Sequence, residues 1–276
     1  MWASLRERVV EPELMDDPAI SRERHEQALR GLRRINWLSN SGGIVWPSLQ
    51  TLARRLGRPI RVLDVATGGG DVPIALYRRA QRAGIAMEIS ACDRSVQALE
   101  YAARRAVLAG AVIHLFPLDA VNEPLPDTYD AVVTSLFLHH LEHADAVRFL
   151  RNLSQSTRHL LLVNDLSRGW AGYAAAWLGT RVLSRSRIVH VDGPRSVRAA
   201  YNPEEARQLA AEAGLNGAVV ARRWPFRFLL MWTRRDDVDD AQLSRPCARR
   251  LRRLGRAGDR RRPGRRDGGA TAGAGG

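Results

Sequence analysis

A chain of 276 residues, 45% of them hydrophobic, is long enough to bury one sizeable core. Its formal net charge of +14 is uneven: from Arg245 onward eleven arginines face two aspartates, which leaves only +5 on the first 244 residues, so the body is mildly basic and the excess belongs to the tail. Cys92 and Cys247 have no metal-ligand spacing, which excludes a disulfide framework and a cysteine zinc site.

No charged segment followed by an apolar stretch opens the chain, and no run of about 18 apolar residues occurs, so neither a signal peptide nor a membrane span is expected. A reducing, cytoplasmic setting follows as the expectation.

Residues 1–20 are polar, with Pro12 and Pro18, and read as loosely structured. Leu29, Leu32, Ile35 and Leu38 fall at helical spacing over 21–38, Ser41-Gly42-Gly43 breaks that helix, and a second helix is expected from Pro47 to Leu56. Strands and helices then alternate: strand Ile60–Val65, helix Asp71–Arg82 closed by Gly84, strand Ala86–Cys92, helix Ser95–Leu108 closed by Gly110, strand Val112–Phe116, strand Tyr129–Ser135, helix His143–Ser156 and strand His159–Asn164. Such alternation implies right-handed crossovers and a parallel sheet.

Arg168–Ser184 reads as a helix, followed by a polar loop to Ala200. Asn202-Pro203-Glu204-Glu205 is a helix start, with an Asn cap, Pro at the first helical position and Glu at the third. Ala218–Arg223 and Phe226–Trp232 then read as strands joined by a turn short enough to require antiparallel neighbours. The expected fold is α/β, three-layered and doubly wound: a mostly parallel seven-stranded sheet with a C-terminal antiparallel hairpin and an N-terminal helical cap. Expected boundaries are 1–56 for the cap, 57–236 for the main domain with a cap insertion at 166–202, and 237–276 for a disordered Arg/Gly-rich tail.

The stretch from Arg61 to Asp71, R-V-L-D-V-A-T-G-G-G-D, carries the chemistry. A buried strand, a glycine turn and a helix start make a nucleotide-binding crevice at the carboxyl edge of a parallel sheet. Asp64 and Asp71 flank the turn where a dinucleotide fold would place pyrophosphate. Two carboxylates there repel phosphate and suit a cationic ligand, such as the ammonium and sulfonium of S-adenosylmethionine. Asp93 closes the second strand, where an acid can accept from both ribose hydroxyls; capping the helix at Ser95 is its alternative role. Asp119, in L-D-A, can accept from an adenine amino group or serve as an ordinary loop acid.

On L-D-V-A-T-G-G-G-D, A-C-D, L-D-A, Y-D-A-V-V-T-S-L-F-L-H-H and the closing hairpin, the chain from Arg61 to Trp232 resembles the class I S-adenosylmethionine-dependent methyltransferases. The resemblance implies that the glycine turn holds the methionine part, Asp93 the ribose and Asp119 the adenine. It departs from the family's pattern at Ala66, where a glycine is usual. The cofactor side is expected to comprise Asp64, Ala66, Thr67, Gly68, Gly69, Gly70, Asp71, Asp93, Arg94, Asp119, Ala120 and Ser135, with S-adenosyl-L-methionine as cofactor.

Enzymes that methylate base amino groups usually carry Asn/Asp-Pro-Pro-aromatic after strand four. Thr134–His140 lacks it, which argues against DNA and RNA as acceptors. Leu-His-His in that place is more similar to small-molecule methyltransferases, including those of quinone biosynthesis, and the V-N-D-L of strand five to relatives that methylate phenolic lipids. The acceptor is therefore expected to be small, aromatic and lipophilic, methylated on oxygen or carbon. An RNA methyltransferase and a non-catalytic S-adenosylmethionine-binding protein are the alternatives. Ionising a phenol calls for a base titrating near the working pH, which suits histidine. His139 and His140 follow strand four, and His190 lies in the polar loop with Asp192 near enough to orient it. Asn164-Asp165 ends strand five, either beside the substrate or as loop structure.

No metal is expected: Ser135 stands where catechol-type enzymes carry an acid, and His139, His140 and His143 have no acid at ligand spacing. Trp170, Tyr173, Ala174, Trp177 and Leu178 share a helical face, read as core packing or as a lid over a greasy substrate, with weak membrane-surface contact as a further possibility of that face. The arginine tail has no aromatic interleaving for base stacking.

Overall fold

The computed structural model describes residues 5–16, 20–21, 23–24, 26–31 and 40–234. The expected tail lies outside them, as does half of the first expected helix, of which residues 23–24 and 26–31 are helical. Seven strands form one sheet in the order β3-β2-β1-β4-β5-β7-β6, with β1 Ile60–Val65, β2 Met87–Asp93, β3 His114–Pro117, β4 Tyr129–Ser135, β5 Thr157–Leu166, β6 Val219–Arg223 and β7 Arg227–Thr233. All neighbouring pairs are parallel except β5 with β7 and β7 with β6. This is the expected doubly wound sheet with its antiparallel hairpin.

Alternation along the central strands feeds two cores. Val62, Leu160 and Leu162 face one; Leu63, Leu161 and Val163 face the other. The first is covered by α1 (Ser41–Leu56) and α2 (Asp71–Ala83), through Val45, Leu49 and Leu76. The second is covered by α4 (His143–Gln155) and α7 (Pro203–Glu212), through Phe149, Leu153 and Leu209. Between them in sequence lie α3 (Val96–Leu108), α5 (Trp170–Leu183) and α6 (Arg187–Ala199). No described helix is long and apolar enough to cross a membrane.

Ser41-Gly42-Gly43 opens α1 rather than breaking a helix, and Pro47 lies inside it. A Cβ on Gly42 would sit 2.8 Å from Cβ of Ala75, so the glycine is what lets α1 approach α2. The expected loop before Ala200 is α6, despite Gly193 and Pro194. There a Cβ on Gly193 would meet Thr180 Cγ2 at 2.4 Å, so the glycine packs α6 on α5.

Candidate active site

A cavity of about 690 Å³ opens at the carboxyl ends of β1, β2, β4 and β5. At one end, Ala66 (φ 56°), Gly68 (φ 51°) and Gly70 (φ 74°) turn the chain from β1 into α2 in left-handed conformations. The turn is tied down from β2: Thr67 N–H donates to Cys92 O at 3.0 Å and Gly68 N–H to Asp93 Oδ2 at 2.8 Å. Arg105 donates to Gly69 O at 2.5 Å and pairs with Asp71.

Each acid has a definite place. Asp64 is buried, and its Oδ1 has no hydrogen-bond partner. Burial pushes its carboxyl up to about 7, opposed by the Thr67 hydroxyl and reinforced by the charges of Asp93 and Asp71. Asp93 accepts from Gly68 N–H and, at 2.9 Å, from Ser95 N–H, while Ser95 itself caps α3. Asp119 accepts from Asn122 Nδ2 at 2.9 Å and Val121 N–H at 3.1 Å, and Asn122 chiefly holds its carboxyl below the usual range. Arg94, Ala120 and Ser135 also line the cavity, whereas Gly70 does not; a Cβ there would meet Ala102 Cβ at 3.0 Å.

At the other end, Leu136 (φ 59°) turns the chain after β4 into a short 3₁₀ turn, Leu138–His140. The turn swings His139 under the end of β5, where Asp165 Oδ1 lies 2.6 Å from Nδ1 and Oδ2 accepts the His139 N–H at 3.2 Å. Burial favours the neutral acid at Asp165, but His139 outweighs it and holds the carboxyl below its ordinary value. The ionised carboxylate accepts from Nδ1, which leaves Nε2 as the ring nitrogen on the Glu13 side. His140 stacks beside it, ring centroids 4.3 Å apart.

A third group comes from a segment read as loosely structured. Arg8 donates to Ala199 O, His139 O and Leu141 O at 2.5, 2.9 and 2.5 Å, and its guanidinium lies 4.0 Å over the Tyr201 ring. Asp192 accepts from Leu14 N–H at 2.9 Å and Met15 N–H at 3.1 Å. Pinned at both ends, this strap brings Glu13 to 3.9 Å from Nε2 of His139 and 3.9 Å from Nε2 of His140. Nothing in the local sequence marked Glu13; only its acidity, in a strap tied down by Arg8 and Asp192, could have drawn attention.

His139 and His140 are thus brought together in the cavity, and His190 is not. It sits on α6 with Nε2 2.7 Å from Ser184 O and does not line the cavity; Asp192 is occupied by the strap. His143 pairs with Glu212 on the surface. The apolar face of α5 points outward, with Trp170, Trp177 and Leu178 about half exposed, while Ala175, Ala176, Gly179 and Thr180 line the cavity.

Residues 62–159 match the family model of the methyltransferase domain. The ubiquinone/menaquinone biosynthesis C-methyltransferase UbiE of Paraburkholderia phymatum is 30% identical over 192 residues, 64% of this chain and 76% of that protein. The chain belongs to the S-adenosylmethionine-dependent class I methyltransferases. Two solved structures share the methyltransferase fold at lower identity. One is the S-adenosylmethionine-dependent methyltransferase SibL, 20% identical over 82% of this chain and 63% of that one, TM-score 0.56. The other is the magnesium protoporphyrin IX methyltransferase of Synechocystis PCC 6803, 17% identical over 79% of this chain and 90% of that one, TM-score 0.50. The glycine turn of this methyltransferase suits the cofactor. A Cβ on Gly68 would meet nothing within 4 Å, and Asp64, whose Oδ1 has no hydrogen-bond partner, lines the same space as Asp71 and Asp93, an acidic lining that suits a cation.

Proposed function

We propose that this methyltransferase acts on a small, hydroxylated aromatic and lipophilic acceptor, at its oxygen or at a ring carbon that the hydroxyl activates. The observation that carries the reading is the buried His139–Asp165 pair, whose histidine lines the same cavity as the glycine turn. We assign Asp64, Ala66, Thr67, Gly68, Gly69, Asp71, Asp93, Arg94, Asp119, Ala120 and Ser135 to the cofactor side. When bound, S-adenosylmethionine supplies an electrophilic methyl group on a cationic sulfur.

The protein's own tasks are then to orient the acceptor, exclude water and draw off one proton. His139 Nε2 is placed to meet the hydroxyl, and Asp165 keeps the other ring nitrogen protonated so that Nε2 can act. A phenolate is nucleophilic at oxygen and at ring carbon, so one such group serves either bond. Ala175, Ala176, Gly179 and Val197 give the middle of the cavity an apolar wall, which favours a lipophilic ring over a sugar or nucleic acid.

The test is transfer of labelled methyl groups to a panel of phenols and quinols by the wild type and by His139→Ala. Transfer to at least one phenol is expected, falling by about 10²–10⁴-fold in the variant while calorimetry shows S-adenosylhomocysteine still bound. Equal rates in the two proteins would overturn the role of His139.

A further inference from the structure

The grouping of Glu13 with the two histidines has a geometry that proton transfer alone does not require. One carboxylate oxygen of Glu13 and one ring nitrogen each of His139 and His140 lie within 4.8 Å of one another. Glu13 reaches the histidines with different oxygens, Oε1 toward His139 and Oε2 toward His140, each at 3.9 Å. Donors that share a tetrahedral ion at about 2.0–2.2 Å sit about 3.3–3.6 Å apart, so a pair at the 4.8 Å limit has to close by roughly 1.2–1.5 Å, which rotation of the Glu13 and His140 side chains can supply.

We propose that Glu13, His139 and His140 bind a divalent transition-metal ion, with Zn²⁺ as the ion best matched to two imidazoles and one carboxylate. Four further observations support it. The His139 Nδ1–Asp165 contact at 2.6 Å is the outer hydrogen bond that metal-bound imidazoles make, and it fixes Nε2 as the free donor atom. His139 is 4% exposed and the Glu13 side chain 8%, so two of the ligands are shielded from water. Among the described residues the partners of the Glu13 carboxylate are His139, His140 and the Ser196 hydroxyl, and none is an arginine. Three protein ligands leave a fourth position, and all three residues line the cavity assigned to the acceptor.

The inference rests on the reading that the acceptor's hydroxyl reaches His139, and it changes what ionises that hydroxyl. The oxygen takes the fourth position and its O–H bond breaks heterolytically. The O–H electron pair stays on oxygen as a lone pair of the phenolate, whose charge the ion would stabilise, and the proton leaves to solvent. A bound divalent ion lowers the pKa of a coordinated hydroxyl by many units, as it does for water.

The test uses the full chain, stripped with a chelator and dialysed, then titrated with Zn²⁺ by calorimetry and with Co²⁺ by visible absorption. We expect one equivalent of Zn²⁺ to bind and the Co²⁺ spectrum to show the bands of a low-symmetry, four- or five-coordinate site. Glu13→Gln and His140→Ala should weaken Zn²⁺ binding by at least about 100-fold, and Asp165→Asn by about 10–100-fold. Unchanged S-adenosylhomocysteine affinity in each variant shows that it is folded. Zn²⁺ affinity equal in wild type and Glu13→Gln would overturn the site. So would full methyl transfer by the stripped enzyme; if His139→Ala still abolishes that transfer, the functional reading stands without the metal. Full transfer by both the stripped enzyme and His139→Ala overturns the functional reading as well.

Discussion

The Asp165 carboxylate holds His139 twice, through the ring at 2.6 Å and through the backbone N–H at 3.2 Å. It also accepts the Leu166 N–H at 2.6 Å on the oxygen that meets the ring. Two backbone N–H donors and the imidazole on two oxygens favour the ionised acid, in keeping with its lowered pKa. Asp165→Asn replaces one acceptor with an NH₂ donor, so either a backbone N–H loses its partner or the imidazole changes tautomer and puts its proton on Nε2. We expect methyl transfer to fall at least about 100-fold and stability by about 1–3 kcal/mol. Initial rates and thermal melts on the same preparation check both.

Ala66 stands in the left-handed region at φ 56°, where a Cβ meets the following carbonyl. Glycine removes that cost but returns some entropy to the unfolded chain. Ala66→Gly should therefore raise stability by about 0.5–1 kcal/mol and the Tm by about 2 °C, with methyl transfer retained. A fall in Tm would show that Ala66 contributes contacts that outweigh its backbone.

Asp64 links pH to both folding and cofactor binding. Its folded pKa is raised from 3.8 to about 7, so the fold prefers the neutral acid. That contribution to stability is fully present below pH 3.8 and is lost as pH rises through about 7. A cationic ligand has the opposite need, since it must find the acid ionised. Affinity for S-adenosylmethionine should fall below pH 7 by up to about tenfold per pH unit. Calorimetry from pH 5.5 to 8 on wild type and Asp64→Asn checks this: the variant should bind weakly and show a flatter dependence.

Elements governed by local chemistry were the ones readable in the sequence. β4 runs from Tyr129 to Ser135 as its apolar run indicates, and Asn202 forms the full capping box with Glu205. The glycine turn was legible because left-handed backbone leaves a mark in composition. What failed depended on partners distant in the chain. Gly42 reads as part of a breaker and Gly193 falls in a stretch that reads as a loop, yet each marks where two helices touch, and burial of the apolar stripes of α1 and α6 overrides the low propensity. Glu13 joins His139 only through a strap anchored by Arg8 and Asp192, a juxtaposition that no spacing rule encodes. His190 is a loop histidine by its local sequence, whereas α6 carries its ring to Ser184 O.

The two faces of α5 separate acceptor binding from surface chemistry. Trp177 is exposed, with the Arg181 guanidinium 4.1 Å over its ring, while Gly179 lines the cavity and a Cβ there would meet nothing within 4 Å. A side chain at 179 thus grows into the space assigned to the acceptor. Replacing a helical glycine also favours the helix by about 0.5–1 kcal/mol, so Gly179→Leu should melt no lower than the wild type while its KM for a phenolic acceptor rises at least tenfold, about 1.4 kcal/mol. Trp177→Ala should leave that KM within about twofold, because truncating an exposed ring removes nothing from the cavity. Steady-state kinetics on the two variants decide the matter: a KM that moves with Trp177 and not with Gly179 would place the acceptor on the outer face of α5.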